Sequence, residues 1–204
     1  MNKIILAVMF FVLALVAYYL YKFKTGDGAD MVPQKKAIAL KKHSQMFNQS
    51  VDNAMNAYFD MALAFVEADT TKVKTHAIKF IQLLDVIPMD ELKKDTIHIY
   101  DIAMENFTGV KVNAQSILAM LNIREMRKDF SMVSENLYPL FKVINYEGEN
   151  MYWQNCPMAF GEDNGANWVS KTTEVINPYL GRKHPEFNGT MLHCGIVKDT
   201  IKAQ

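Results

Sequence analysis

An excess of charge of either sign is missing from this chain: 22 basic residues balance 22 acidic ones over 204 positions, and no basic tract interrupts them. A nucleic-acid partner needs such a tract as its electrostatic footprint, so DNA and RNA are excluded as ligands. Glycine-rich phosphate loops are absent, and so are paired catalytic carboxylates. Cysteine is scarce: Cys156 and Cys194 are the only two, and both lie near the end of the chain. A Cys156 nucleophile with His193 as base can be written down. No orienting carboxylate or set of oxyanion donors accompanies it, and the chain is read as a non-enzyme.

What is present is an apolar half of the composition, enough for one packed core. An uncharged run extends from Ile4 to Tyr21, bounded by Lys3, Lys22 and Lys24. As a helix rising ~1.5 Å per residue, its ~18 residues reach ~27 Å, just short of the hydrocarbon core of a bilayer. The bulky Tyr18-Tyr19-Leu20-Tyr21 leaves no small-x-small cleavage site close by, which favours an uncleaved anchor over a removed signal peptide. Lysines flank both ends, and those after the segment argue against export. Export to the periplasmic face of the cell envelope is nonetheless preferred, because nothing distinguishes a cytoplasmic body. Residues 1–24 are therefore read as anchor or signal segment, with membrane contact through residues 4–21. Residues 25–33 form a linker, and residues 34–204 are the folded domain.

Helical periodicity dominates that domain. From Ser44 onward Phe47, Val51, Ala54, Tyr58, Met61 and Phe65 recur at spacings of four and three, the stripe of a helix ending near Ala68. Asp69 or Thr70 caps a second helix with Val73, Ala77, Phe80, Ile81 and Leu84 inward, closed off by Pro88. A third is expected from Asp90 to about Asn106, stopping near Gly109, and a fourth from Asn113 to about Tyr146, kinked at Pro139. Short loops between such elements predict an all-α, up-and-down bundle of about four helices. After Glu147 no period is sustained, so residues 150–197 are expected to be a loop-rich segment packed on the bundle. Such a segment needs a staple, either a metal or a disulfide.

The two cysteines sit in sulfur-rich clusters, Cys156-Pro157-Met158 and Met191-Leu192-His193-Cys194-Gly195. Thiolate and thioether ligands together favour Cu(I), whereas zinc sites are usually built from cysteine, histidine and carboxylate. The candidate ligands for one soft ion are Cys156, Met158, Met191 and Cys194, with His193 or His184. A disulfide between Cys156 and Cys194 is the competing reading, worth about 4 kcal/mol for such a loop in the chain-entropy model. A dithiol that binds Cu(I) can also oxidise when the metal is absent, so the two states do not exclude each other. His43, His76 and His98 fall on predicted helices and are left out of the site.

The run from Tyr152 through Cys156-Pro157-Met158, Trp168-Val169-Ser170, Ile176-Asn177-Pro178-Tyr179-Leu180-Gly181 and Met191-Leu192-His193-Cys194-Gly195 resembles a bacterial domain family of unknown function, numbered three-three-four-seven. Tyr58 to Leu84 and Ile123 to Ile144 look similar as well. The resemblance implies an exported protein in heavy-metal handling, with a copper or silver efflux adaptor as partner. It carries Cys156, Met158, Met191 and Cys194 over as candidate ligands and implies no catalytic residue. The stretch Arg182 to Thr190 departs from the short form of the pattern and brings in His184. The leading reading is a membrane-anchored Cu(I)-binding protein, and the alternative is a disulfide-stapled interaction module without metal that docks on an envelope partner. The third is a thiol-redox enzyme in which His193 or Lys183 lowers the pKa of an accessible cysteine.

Overall fold

In the computed structural model, Ser44 caps the first helix, its hydroxyl accepting the Phe47 N–H at 3.0 Å. A cap of this kind contributes about 1 kcal/mol. The structure describes residues 42–203 except Thr96, together with Leu15 and Tyr18. The chain divides into two units, Met1–Lys35 and Lys36–Gln204. In the first, only Leu15 and Tyr18 are described, both helical and exposed. The anchor expected over residues 4–21 and the linker over 25–33 otherwise lie outside the described residues. Among the described residues no helix is long and apolar enough to cross a membrane.

Helix α1 (Gln45–Val66) buries the predicted stripe from Phe47 to Phe65. Asp69 caps α2 (Thr70–Leu84) by accepting the Lys72 N–H at 3.0 Å, and Val73, Ala77, Phe80 and Leu84 turn inward. The predicted third helix is corrected. Met89–Lys94 is a 3-10 helix, and α3 (Ile97–Ala119) passes through Gly109 without stopping. A Cβ at Gly109 would meet Asn136 Oδ1 of the neighbouring helix at 2.2 Å. The glycine therefore serves close helix packing rather than termination. The chain breaks instead between Met120 and Asn122, and the Asn122 side chain accepts the Glu125 N–H at 3.0 Å to open α4 (Ile123–Ile144). Pro139 lies inside α4, which ends where Asn145 adopts a left-handed conformation at φ 53°. Each helix packs on the next in chain order, α1 on α2, α2 on α3 and α3 on α4.

The chain is mostly helical but not all-α. The region expected to be loop-rich keeps irregular backbone over 157–165 and 171–195 but also carries strands β1 (Met151–Cys156), β2 (Ala166–Ser170) and β3 (Ile196–Ile201), antiparallel in the order β2-β1-β3. Alternation was hidden for two physical reasons. The β1–β3 register shifts between Trp153 and Gln154, which breaks the period of two. Gln154 is also buried, with its amide donating to the carbonyls of Thr172 and Glu174 at 3.0 and 3.1 Å.

A short polar relay fastens the sheet to the helices. The Val169 N–H donates to the Tyr58 hydroxyl at 3.1 Å, and Tyr58 and Ser134 share a bond of 2.7 Å. Since the Ser134 hydroxyl donates onward to the Phe130 carbonyl at 2.9 Å, Tyr58 is the donor to Ser134. Around it the aromatic rings are continuous: Tyr58 stacks on Phe130 at 5.1 Å, Phe130 meets Tyr179 at 6.0 Å, and Tyr179 meets Trp168 edge-on at 5.9 Å. Fully burying one such side chain is worth about 1.5–3 kcal/mol, so this column supplies the apolar area that the short strands lack.

Candidate site at the cysteine pair

Sheet register brings the two cysteines together. Cys156 is the last residue of β1, and Asn155 pairs with Ile196 at the start of β3. The antiparallel partner strand therefore arrives from Cys194 at the same end of the sheet. The two sulfurs face each other at 2.6 Å, with Cys156 buried and Cys194 half-buried. Burial and the neighbouring Cys156 both push the Cys194 thiol above its ordinary pKa. A thiol held protonated in this way is a poor nucleophile.

The loop that presents Cys194 is held by Asn177. Its side-chain oxygen accepts the N–H groups of Tyr179 and Leu180 at 2.8 and 2.9 Å, its amide donates to the Cys194 carbonyl at 2.8 Å, and its own N–H donates to the Leu192 carbonyl at 2.8 Å. The turn from Asn177 to Gly181 is in turn pressed onto α1, where a Cβ at Gly181 would lie 2.4 Å from the Val66 carbonyl oxygen. Arg127 of α4 ties both sides, donating from Nε to the Pro178 carbonyl and from Nη2 to the Phe65 carbonyl, each at 3.1 Å. Gly195, at φ 145°, lets the chain turn tightly beside the Asn155 carbonyl and Trp168.

The other predicted ligands lie outside the strands, in the turns and loops that follow β1 and precede β3. Met191 is half-buried against the core, and its carbonyl accepts the Cys194 N–H at 3.0 Å. Met158 is exposed and heads a turn in which its carbonyl accepts the Gly161 N–H at 3.2 Å. His193 is exposed, with Nδ1 on the Val175 carbonyl at 2.8 Å. His184 lies elsewhere: it lines a cavity of about 620 Å³ with Met158, stacks on Phe187 at 5.0 Å, and accepts the Glu186 N–H on Nδ1 at 3.3 Å. Burial lowers its pKa, with the Arg127 charge adding to the effect. Among the described residues no group of three or more His, Cys, Asp or Glu is placed to hold a metal. The two cysteine sulfurs are thus the predicted donors that the structure brings face to face. Asn177 stood out in the sequence only as part of the run to Gly181, and Arg127 was not singled out there. Arg127 left a trace there, as a charged residue between Met126 and Phe130 on the apolar face of a helix.

These features define a mostly helical domain that carries a small antiparallel sheet and a cysteine pair at the sheet's end. Residues 54–148 match the family described as "Protein of unknown function (DUF3347)", so a little under half of the chain is similar to that family. The matched stretch runs from within α1 to just beyond α4 and ends before β1, so the cysteines stand outside it. No curated protein and no solved structure matches the chain.

Proposed function

We propose that the chain is a soft-metal-binding protein of the cell envelope, with Cu(I) as its cargo, anchored through residues 4–21 and working beside a heavy-metal efflux adaptor. It acts as a carrier or buffer and not as an enzyme. The observation that supports this reading is that the sheet register brings Cys156 and Cys194 face to face, each with a methionine two or three residues away in sequence, Met158 and Met191. In the reduced protein the two thiols lose their protons to bind the ion, and the thioethers offer further soft donors without adding charge. The ion would enter from the side of Cys194, which is the less buried of the two sulfurs.

A second reading is favoured by the same distance. Two thiolates on one tetrahedral ion with bonds of ~2.3 Å stand roughly 3.7 Å apart, so sulfurs at 2.6 Å are nearer to covalent pairing than to bridging a metal. In that case the pair is a disulfide staple, and the chain is an interaction module that docks on its partner without metal. The deciding experiment is a Cu(I) titration of the reduced full-length chain against a chromophoric chelator. One-to-one binding, lost in Cys156→Ser and Cys194→Ser and weakened in Met158→Leu/Met191→Leu, supports the first reading. No binding above the chelator, with quantitative reoxidation to an intramolecular bridge, overturns it in favour of the second.

A further inference from the structure

The cavity of about 620 Å³ has a volume typical of small-molecule sites, and its walls are largely apolar, from Ile123, Met158, Phe160, Leu180 and Phe187. One charged group on its lining is buried. Arg127 is only 3% exposed, and among the described residues no carboxylate forms an ion pair with it. Its Nε and one Nη2 hydrogen are taken by the carbonyls of Pro178 and Phe65, whereas among the described residues Nη1 has no hydrogen-bond partner. Burial lowers its pKa to about 10, which leaves it charged at neutral pH. A buried guanidinium without a counter-charge is costly, and an entering anion would offset that cost. Ile123 and Arg124, also on the lining, are the first residues of α4, so the positive end of a 22-residue helix points the same way.

We propose that this cavity binds a small amphipathic carboxylate, its head on Arg127 and its apolar body against Phe160, Leu180 and Phe187. The net charge of the ligand follows from the rim. Glu162, Glu186 and Arg124 line the cavity from exposed positions and leave the rim one net negative charge, which disfavours a dianion such as phosphate but is too solvated to neutralise the buried arginine. A single negative charge on an apolar chain satisfies both conditions. The site does not use the cysteines and goes beyond the metal-binding reading.

The test is a calorimetric titration of the full-length chain with octanoate, octanol and octylamine. Octanoate is expected to bind about tenfold or more tightly than octanol, with octylamine weakest, as one charge-assisted contact requires. Arg127→Lys keeps the charge but loses the planar fork, and it is expected to weaken octanoate about tenfold while leaving octanol unchanged. Because Arg127 also tethers two backbone segments, Ile123→Trp serves as a second variant. It adds bulk at the cavity lining without removing a side-chain hydrogen bond, and it should abolish binding while the denaturation midpoint stays near that of the parent. Absence of octanoate binding, equal binding of octanol, or full binding to Ile123→Trp would each overturn the proposal.

Discussion

The side-chain amide of Asn177 donates to the carbonyl of Cys194 at 2.8 Å, so the turn that seats the loop on α1 also fixes the backbone beside the thiol. Asn177 is fully buried, and its oxygen is committed to the Tyr179 and Leu180 N–H groups. An isosteric Asn177→Asp keeps that acceptor but turns the donor into a second acceptor facing a carbonyl. The expected loss is about 1–3 kcal/mol, the cost of a buried group left without its partner. Urea denaturation of the reduced protein measures it. Alkylation of Cys194 should accelerate in the same variant, because the loop is freed; unchanged alkylation would mean that the amide does not hold the thiol in place.

The relay from Val169 through Tyr58 to Ser134 makes a second prediction. Tyr58→Phe leaves the Val169 N–H and the Ser134 hydroxyl without their buried partner while keeping the ring that stacks on Phe130. A loss of about 1–3 kcal/mol follows. Ser134→Ala removes the other end of the same chain, so the double variant should lose less than the sum of the two. A coupling of about 0.5 kcal/mol or more in a double-mutant cycle would establish the relay as one unit, and strict additivity would count against it.

The first two helices were legible because apolar spacing and side-chain caps are local signals. Ser44, Asp69 and the stripe from Phe47 to Phe65 sit where spacing alone puts them. Gly109 misled because its reason is tertiary: nothing near it in sequence reveals that Asn136 packs against it. The strands were illegible for a related reason. Gln154 is buried, and its partners are carbonyls on a later turn, so polarity along β1 does not report which face is inside. For the site, proximity of the two cysteines was readable from their flanking sulfur clusters. The arginine beneath the cavity was not, since a single charge on an apolar stripe acquires meaning only when its counter-charge is seen to be missing.

Asp199 on β3 and Tyr138 with Lys142 on α4 give stability a pH dependence at both ends of the scale. The carboxylate lies 2.8 Å from Lys142 Nζ and 2.5 Å from the Tyr138 hydroxyl. The Lys142 hydrogen bond, followed by that of Tyr138, lowers the Asp199 pKa from 3.8 to about 2. A folded pKa below the unfolded one means that the contribution is complete above pH 3.8 and is lost as pH falls toward 2. Burial first, and Asp199 second, raise the Tyr138 pKa from 10.0 to about 12, so its contribution is complete below pH 10.0 and is lost as pH rises toward 12. Asp199 is 41% exposed, so the acid limb should be modest and should shrink as salt is added. Urea midpoints across both windows test this. Asp199→Asn should flatten the acid limb and Tyr138→Phe the alkaline one; curves parallel to the parent would mean that these side chains do not fasten the sheet's edge to the helix.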